Sequence, residues 1–502
     1  MNFLSFFKRA QPEKGPAKES RDRKRPVSLR SLLGAARTGR LESSWDTNPV
    51  TADAYIFQHW KTLVARARNG CESYDHGRKY LQLVRDNVVG EGFVLSSTPR
   101  DFDGKKDKVA ENAIERAFKK WSRKKNFDYT GANCRADFER LVAASIAKDG
   151  EVIILKHYGK SAGPWGFSVE LIDPFLLDPT HYEKLPNGNI VRHGIEFGPD
   201  GGRPLAYWFI EQQEWQVGYT YTKERKRIEA KNVIHWFMTE MPGQKRGLPW
   251  TRTALWRMRM ASGFEDAALT NARVSAGKMG FFKGGDDDIE DLEIDAEPGT
   301  FEDIGDRELQ EWNPQFPNGE TEPFLRAMHR SIAASLHVSY HNLSGDLTSV
   351  NFSSIRQGAL DERGTWRALQ NSMIENVVVP IFEDWLEYSL LKGAITLPNG
   401  RALPFEKIDK FQECSFTGKR WAWIDPRSEA AAAQILIDQK IRSRSEVIRE
   451  LTNRDPSETW EEIAAENLEI EGLGLIIPRP AGQKPEPEGK ESKDENSAED
   501  EE

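Results

Sequence analysis

The sequence predicts an α+β fold in which a β-rich middle stands between two helical parts. Residues 151–237 alternate apolar and polar side chains between Gly, Pro and Asp turns, a pattern typical of antiparallel strands. On both sides of this region, apolar residues recur every three or four positions, which is the spacing of one helix face. With 502 residues, the chain has room for two to four packed modules.

The first helical part contains three predicted helices. The first runs from Thr51 to about Val84, and its apolar positions include Ile56, Trp60, Leu63 and Val64. The glycines of "NVVGEGFVL" then lead into a strand. Two further helices are predicted at Ala110–Trp121 and Arg135–Lys148. The strands that follow are "EVIILKHYG", "GFSVELIDP", "GIEFGPDGGRPLAYWFI" and "NVIHWF".

Beyond Pro249 the chain is again predicted to be helical. One helix has an alanine-rich face, which allows another helix to approach closely; the face consists of Met258, Ala261, Phe264, Ala268, Ala272 and Ala276. The next helix carries Leu325, Met328, Ile332 and Leu336 on one side, and Arg326 and Arg330 on another. Residues 353–391 are predicted to form one long helix kinked at Pro380. Two last helices are predicted at 429–441 and 443–468, the second interrupted by "TNRDPSET".

Charge is distributed unevenly along the chain, whose net charge is -9. Residues 1–40 hold eleven Lys and Arg against three Asp and Glu, which predicts a basic disordered arm, either a partner-binding segment or a solubilising tail. Residues 484–502 hold nine acids against three bases and are predicted to be disordered. Residues 281–320 hold fourteen acids against two bases. Such asymmetry indicates charged partners rather than a particular fold.

Composition excludes several classes of protein. No apolar run approaches the roughly 20 residues of a membrane span. The apolar start "MNFLSFFKRA" has its basic block behind it and no small-residue cleavage site, which argues against a signal peptide. Three isolated cysteines favour neither a disulfide framework nor a zinc site. We therefore expect a protein of a reducing compartment that does not bind membranes.

No motif supports catalysis, a cofactor or a metal. "GKSAG" at residues 159–163 contains both a phosphate-loop ending and a GxSxG pattern around Ser161, but a strand follows it where both motifs need a helix, so we interpret it as a hairpin turn. The acidic run "GDDDIEDLEID" lacks the spaced ligands of a calcium loop. His337 and His341 have no neighbouring acid to complete a site, and the two carboxylates of Asp149–Glu151 are explained by a turn.

Five short segments, in order, resemble one family. "FMTEMPGQKRGLPW" at residues 237–250 is similar to the PGQxRG segment of lambda-type bacteriophage portal proteins, which leads from the wing into the first stem helix. The others are "RDNVVGEGF" at 85–93, "VELIDP" at 169–174, "HGIEFGPDGGRPLAYW" at 193–208 and "VSYHNLSGDLTSVNFSSIRQG" at 338–358, the last resembling the tunnel-loop signature. The resemblance as a whole runs from about residue 45 to about residue 470.

This resemblance implies a portal fold, and the chain divides accordingly. The expected segments are a basic arm (1–45), a mixed α/β wing (46–248), a first stem helix (249–280), an acidic clip (281–321), a second stem helix (322–338), a tunnel loop (339–352), a long kinked helix returning to the wing (353–425), a helical crown (426–475) and an acidic disordered tail (476–502).

The resemblance also implies the function. Portal proteins form a ring, commonly a dodecamer, at one capsid vertex, and double-stranded DNA is packaged and ejected through it. Assembly in the host cytoplasm, residence in the virion, and contacts with the terminase large subunit, the head–tail adaptor and the major capsid or scaffold protein follow as expectations. The expected protein is not an enzyme and has no cofactor. The alternative is a metal-dependent packaging nuclease that uses the acidic cluster at 286–295.

Two groups of residues are expected to carry this function. In the ring, the tunnel loops converge on the axis, where small polar tips touch a moving duplex without gripping its bases; the expected channel residues are Asp346, Thr348, Ser349, Asn351, Arg326, Arg330 and Arg356. The alternatives are a flexible connector for the loop, and solvated helix faces or salt bridges for the arginines. Docking of terminase and adaptor is expected at Asp286, Asp287, Asp288, Glu302, Asp303 and Asp306. Their alternative role is to solvate a loop or to repel DNA at the exit.

Overall fold

A computed structural model describes most of the chain between residues 49 and 474. The described residues are 49–211, 218–219, 224–276, 280–283, 308–311, 319–348, 351–421, 426–452 and 456–474. In this part of the chain, every helix is too short or too polar to cross a bilayer.

The first helical part is built as predicted, with one additional break. The predicted first helix is two helices, α1 (Ala52–Ser73) and α2 (Asp75–Val84), and α2 continues into a π-helical turn at Arg85–Val89 that ends at Gly90. The elements that follow are β1 (Val94–Ser97), α3 (Lys108–Trp121), α4 (Lys124–Phe127) and α5 (Arg135–Asp149). The Asp107 side chain caps α3 by accepting a hydrogen bond from the Ala110 N–H at 3.0 Å.

The middle of the chain forms two antiparallel sheets. The first has the order β3-β2-β9 and contains β2 (Glu151–Tyr158), β3 (Phe167–Ile172) and β9 (Val233–Phe237). The second runs in sequence order and contains β4 (Glu183–Lys184), β5 (Ile190–Arg192), β6 (Ile195–Phe197), β7 (Pro204–Ile210) and β8 (Arg225–Glu229). "GKSAG" joins β2 to β3, which pair antiparallel. The hairpin interpretation of this segment is therefore confirmed.

Two long helices, joined by the acidic segment, follow the sheets. They are α6 (Leu255–Ala276) and α7 (Thr321–Ser335), and they pack against each other through Phe264 and Phe324, whose ring centroids are 5.1 Å apart. Between them, β10 (Gly280–Lys283) pairs antiparallel with β11 (Glu308–Glu311). On the alanine-rich face, Met258 and Ala261 are buried, while Ala268 and Ala272 are half-buried.

The segment expected to be a loop between α7 and the long helix is partly helical. It contains α8 (Tyr340–Ser344), after which Gly345 adopts a left-handed conformation with φ of 73°. The long helix begins at Phe352 and consists of α9 (Phe352–Met373), a π-helical turn (Ile374–Val378) and α10 (Val379–Leu391).

Pro380 is the second residue of α10, which continues directly from the π-helical turn, so its missing N–H removes one helical hydrogen bond there. The departure from α-helical geometry therefore falls in the π-helical turn just before the proline rather than at the proline itself.

The chain then returns to the first part of the fold. After α11 (Ile408–Phe411), β12 (Cys414–Thr417) pairs antiparallel with β1. Three helices follow, α12 (Pro426–Asp438), α13 (Arg444–Thr452) and α14 (Pro456–Gly472). The predicted interruption at "TNRDPSET" includes residues 453–455, which lie outside the described residues.

An aromatic cluster joins the N-terminal helices to α10. Trp121 at the end of α3 stacks on Trp385 of α10, with ring centroids 5.6 Å apart, and Phe118 meets Phe382 edge to face. All four rings are buried. Because buried aromatic side chains contribute much of a core's stability, this contact fixes the long helix to the region that holds the sheets.

Candidate functional site

The "GQKRG" segment is fixed by a fully buried arginine. The Arg246 guanidinium donates to both carboxylate oxygens of Glu151 at 2.5–2.9 Å. Its remaining N–H groups donate to the carbonyl oxygens of Leu177, His193 and Pro174 at 3.1–3.3 Å. The guanidinium also lies over the Trp60 ring of α1, 4.3 Å from its centroid. One side chain thus ties the segment that precedes α6 to both sheets and to α1.

Glu151, at the start of β2, is the carboxylate that this arginine requires. It also lies 3.0 Å from the His235 Nε2 of β9 and accepts the N–H of Gly247 at 2.9 Å. Burial raises the pKa of Glu151, but the charges of Arg246 and His235 and their hydrogen bonds outweigh burial and lower it to about 2. The carboxyl group is therefore ionised at neutral pH and balances the charge of the buried arginine.

A second ion pair lies two residues earlier in the chain. Arg68 of α1 donates to both oxygens of Asp149 at 2.8 Å and to Asp173 at 2.8–2.9 Å. The sequence predicts a turn at Asp149–Glu151, and Gly150 between them has the left-handed φ of 88°. Each of the two carboxylates also has an arginine partner distant in sequence, which the local pattern did not indicate. The arginine inside "GQKRG" was the available signal for one of these pairs.

A hydrogen-bonded turn follows α8 and contains Asp346. The Asp346 carboxylate accepts the Tyr340 hydroxyl at 2.8 Å, the Thr348 N–H at 2.9 Å and the Thr348 hydroxyl at 2.6 Å. These hydrogen bonds from Thr348 and Tyr340, together with the nearby Arg326 charge, hold the pKa of Asp346 well below its usual range. The start of the expected tunnel loop is therefore an ordered turn.

Two arginines of α7 contact this turn. Arg326 of α7 lies 3.6 Å from the Asp346 carboxylate and also pairs with Glu322 at 2.5 Å. Arg330, one turn further along α7, lies over the Tyr340 ring, 5.5 Å from its centroid. The structure thus brings four residues together, two arginines of α7 with Tyr340 and Asp346.

Comparison with known proteins assigns the chain to a family. The family described as "Phage portal protein, lambda family" matches residues 38–370, which is more than half of the chain. The chain belongs to the lambda family of phage portal proteins. Proteins of this family are structural components of phage particles, so the expected portal identity is confirmed.

Several portal proteins are similar over nearly their whole length. A probable portal protein of Halomonas phage phiHAP-1 is 30% identical, over 94% of this chain and 92% of that relative. Portal protein B of Escherichia phage lambda is 20% identical, over 89% of this chain and 90% of its own length. Among solved structures, a chain from the neck of an empty gene transfer agent particle is 14% identical with a TM-score of 0.42, covering 82% of this chain and 96% of that chain.

The structure describes only part of the residue set expected from sequence. Of the expected channel residues of this portal protein, Thr348 and Asn351 are exposed, Arg356 is half-buried in the first turns of α9, and Ser349 lies outside the described residues. All six residues of the expected docking set also lie outside them. Among the described residues, no group of three or more His, Cys, Asp and Glu is arranged to hold a metal ion.

His193, next to this buried cluster, is expected to make the stability of the protein depend on pH. Burial and the nearby Arg246 charge lower the pKa of His193 to about 4. As pH falls, this histidine is protonated at a higher pH in the unfolded chain, where its pKa is ordinary, than in the folded protein. Its contribution to the free energy of unfolding is therefore fully present above about pH 6.5 and is lost as pH falls towards 4. We expect a loss on the order of 2–3 kcal/mol from this group.

Urea unfolding at pH 7 and at about pH 4.5 tests this expectation. In the variant His193→Gln, the wild-type decrease between these two pH values should shrink by most of that amount. His59→Gln is the matched control, because it removes an exposed imidazole of α1, and it should leave the decrease unchanged. An equal pH dependence in wild type and His193→Gln would contradict this role of the histidine.

Proposed function

We propose that copies of this chain form a closed ring at one capsid vertex and that double-stranded DNA passes along its axis. The proposal extends the family assignment to the geometry of the assembly. In this ring, the tunnel loop consists of the turn at Asp346 and the residues up to the start of α9. This loop faces the axis. The observation that carries this proposal is the bracing of that turn by Arg326 and Tyr340, because an exposed loop that only connected two helices would need no such fixation.

The charges around this turn suit passage of DNA rather than retention. A site that neutralises many phosphates binds tightly, since each contact releases about 0.9 of a counterion. The Arg326 charge is offset by Glu322 and Asp346, and Arg330 lies against Tyr340. The loop therefore presents small polar groups and the exposed Leu347, which is 63% accessible, and the Arg326 charge beside it is already paired with carboxylates.

Each part of the proposed ring corresponds to a segment of the chain predicted from the sequence. In this proposal, α6 and α7 are the stem, residues 46–248 form the wing, residues 353–425 are the long kinked helix that returns to the wing, and α12 to α14 belong to the crown. The acidic segment between α6 and α7 is the clip, on which the terminase large subunit and later the head–tail adaptor dock. The wing contacts the major capsid or scaffold protein, and the particle assembles in the host cytoplasm.

Docking on the clip is expected to be electrostatic. Changing Asp286, Asp287 and Asp288 to asparagine should slow association with terminase or adaptor at low salt and weaken its salt dependence, because the steering charge of each subunit falls by three. Stopped-flow association at several ionic strengths measures both effects. Asn substitution at Asp494, Asp500 and Glu495 of the acidic tail is the matched control. An equal decrease in association rate in both variants would show that the net charge of the protein, and not the charge of the clip, determines association.

Native mass spectrometry and negative-stain imaging of the purified full-length chain test the assembly. The proposal expects a closed ring with an axial hole and no cleavage of DNA when Mg²⁺ or Mn²⁺ is added. The competing function is a packaging nuclease that binds metal at residues 286–295. A monomer or dimer that cuts DNA only with metal would establish that function instead.

A further inference from the structure

Six cations form an exposed patch at the end of α3 and on α4. They are Arg116, Lys119, Lys120, Arg123, Lys124 and Lys125, and we call them the α3–α4 patch. All six side chains are exposed. They occupy ten consecutive residues that contain no acid, in a chain whose net charge is -9.

The α3–α4 patch has no counter-charge in the described part of the chain. None of its six side chains makes a salt bridge with another described residue, whereas several neighbouring cations do. Lys106 pairs with Glu461, and Lys410 pairs with Asp101 and Asp107. The two acids of α3, Glu111 and Glu115, precede all six cations in the helix.

A structural role explains only part of this pattern. Lys119 and Lys120 lie in the last turn of α3, where cations interact favourably with the helix dipole. This effect is confined to the last turn, and it does not account for Arg116 or for the three cations beyond the helix end. Like charges at this density repel one another, so the sequence keeps them at a cost in stability.

The side chains of the patch are suited to binding phosphate groups and not to recognising bases. From Arg116 to the end of α3 at Trp121 the helix rises by about 7–8 Å, roughly two phosphate spacings of one DNA strand, and the other three cations lie beyond it. The aromatic residues of this segment, Phe118, Trp121 and Phe127, are buried, so none can stack on bases. The amide of Asn126 donates to the Lys120 carbonyl, and the Ser122 hydroxyl donates to the Phe118 carbonyl. Their polar atoms are thus already used within the fold.

We propose that the α3–α4 patch binds the phosphate backbone of double-stranded DNA independently of sequence. This site lies on a helix of the proposed wing and shares no residue with the proposed channel at Asp346. It provides a second contact with DNA. At this contact the duplex is bound, whereas in the proposed channel it passes through. The proposal does not depend on ring geometry, because DNA added to the protein in solution can reach an exposed patch.

The test is binding of a labelled random-sequence duplex of about 30 base pairs to the full-length protein at several salt concentrations. With one phosphate contact for each of the six cations, counted over both strands, the affinity of the wild type should fall by about three orders of magnitude between roughly 50 and 200 mM salt. In Lys119→Gln/Lys120→Gln/Lys124→Gln, the slope of log affinity against log salt should decrease by roughly 3 and the fall should be only about 40-fold. A scrambled duplex should give the same values.

A charge-matched control separates the patch from net charge. Lys79→Gln/Lys226→Gln/Lys440→Gln removes three exposed lysines of other elements and should keep the wild-type slope. An unchanged slope in the patch variant, equal changes in both variants, or no binding by the wild type at low salt would each overturn the proposal. Binding of a labelled poly-glutamate peptide that depends on the patch, without binding of DNA, would overturn it in favour of an acidic protein partner.

Discussion

Replacing Arg246 with methionine is expected to destabilise the protein by about 3–5 kcal/mol. The substitution leaves the ionised Glu151 buried without its main counter-charge, and it removes the donors to the carbonyl groups of Leu177, His193 and Pro174. The loss is large because both partners are fully buried. Urea unfolding at pH 7 measures it, with subunit concentration held constant.

Two further variants show whether the cause is the unpaired charge. Arg192→Met breaks a partly exposed pair with Asp53 and should cost less than about 1 kcal/mol. Adding Glu151→Gln to Arg246→Met should recover part of the stability, because an amide is cheaper to bury than a carboxylate and its oxygen still accepts the Gly247 N–H. A double variant less stable than Arg246→Met alone would show that lost packing, and not the buried charge, dominates.

Shortening the tunnel loop is expected to abolish stable retention of DNA without harming the fold. Removal of residues 347–350 takes away the exposed Leu347 and Thr348, and with Thr348 two surface hydrogen bonds to Asp346, so the free energy of unfolding should fall by no more than about 1–2 kcal/mol. Ring assembly should be intact, because α7 and α9 are unchanged. Heads assembled with this variant should contain much less DNA, as measured by nuclease-protected DNA per head.

A second deletion serves as the matched control for the shortened loop. Residues 199–202 are four exposed turn residues between β6 and β7, and their removal leaves Gly198 and Arg203 as a two-residue connection. Heads with this variant should retain DNA like the wild type. Normal DNA content in the shortened-loop variant, or failure of its rings to assemble, would contradict the proposed role of the loop.

Much of the fold was predictable because its signals are local. The helical spacing of Ile56, Trp60 and Val64 and the alternation in "EVIILKHYG" each reflect one buried face, and both elements occur where periodicity indicates. The two π-helical turns were not predictable, since nothing in the sequence at Ile374–Val378 differs from an ordinary helix. Pro380 indicated a distortion nearby but not its form, because it lies just beyond that turn.

The candidate sites were harder to predict because their contacts span long distances in sequence. Arg246 and Glu151 are 95 residues apart, and the antiparallel pairing of β2 with β9 helps to bring their segments together. At the tunnel loop, composition indicated exposed polar tips at Asp346 and Thr348. It did not indicate that these two side chains bond to each other, nor that Arg326 lies beside the carboxylate. The α3–α4 patch was visible in the sequence, but its lack of ion pairs required the structure.

The central claim is that the turn at Asp346 faces DNA inside the particle, and site-specific crosslinking tests it most directly. A photoreactive benzophenone amino acid at Leu347, which is 63% exposed, should crosslink to DNA in filled heads and not in emptied heads. The same group at Leu391, which is 57% exposed on α10, provides the control and should give no crosslink. If position 347 gives no DNA crosslink in filled heads, or no more than position 391, the turn does not line the path of the DNA.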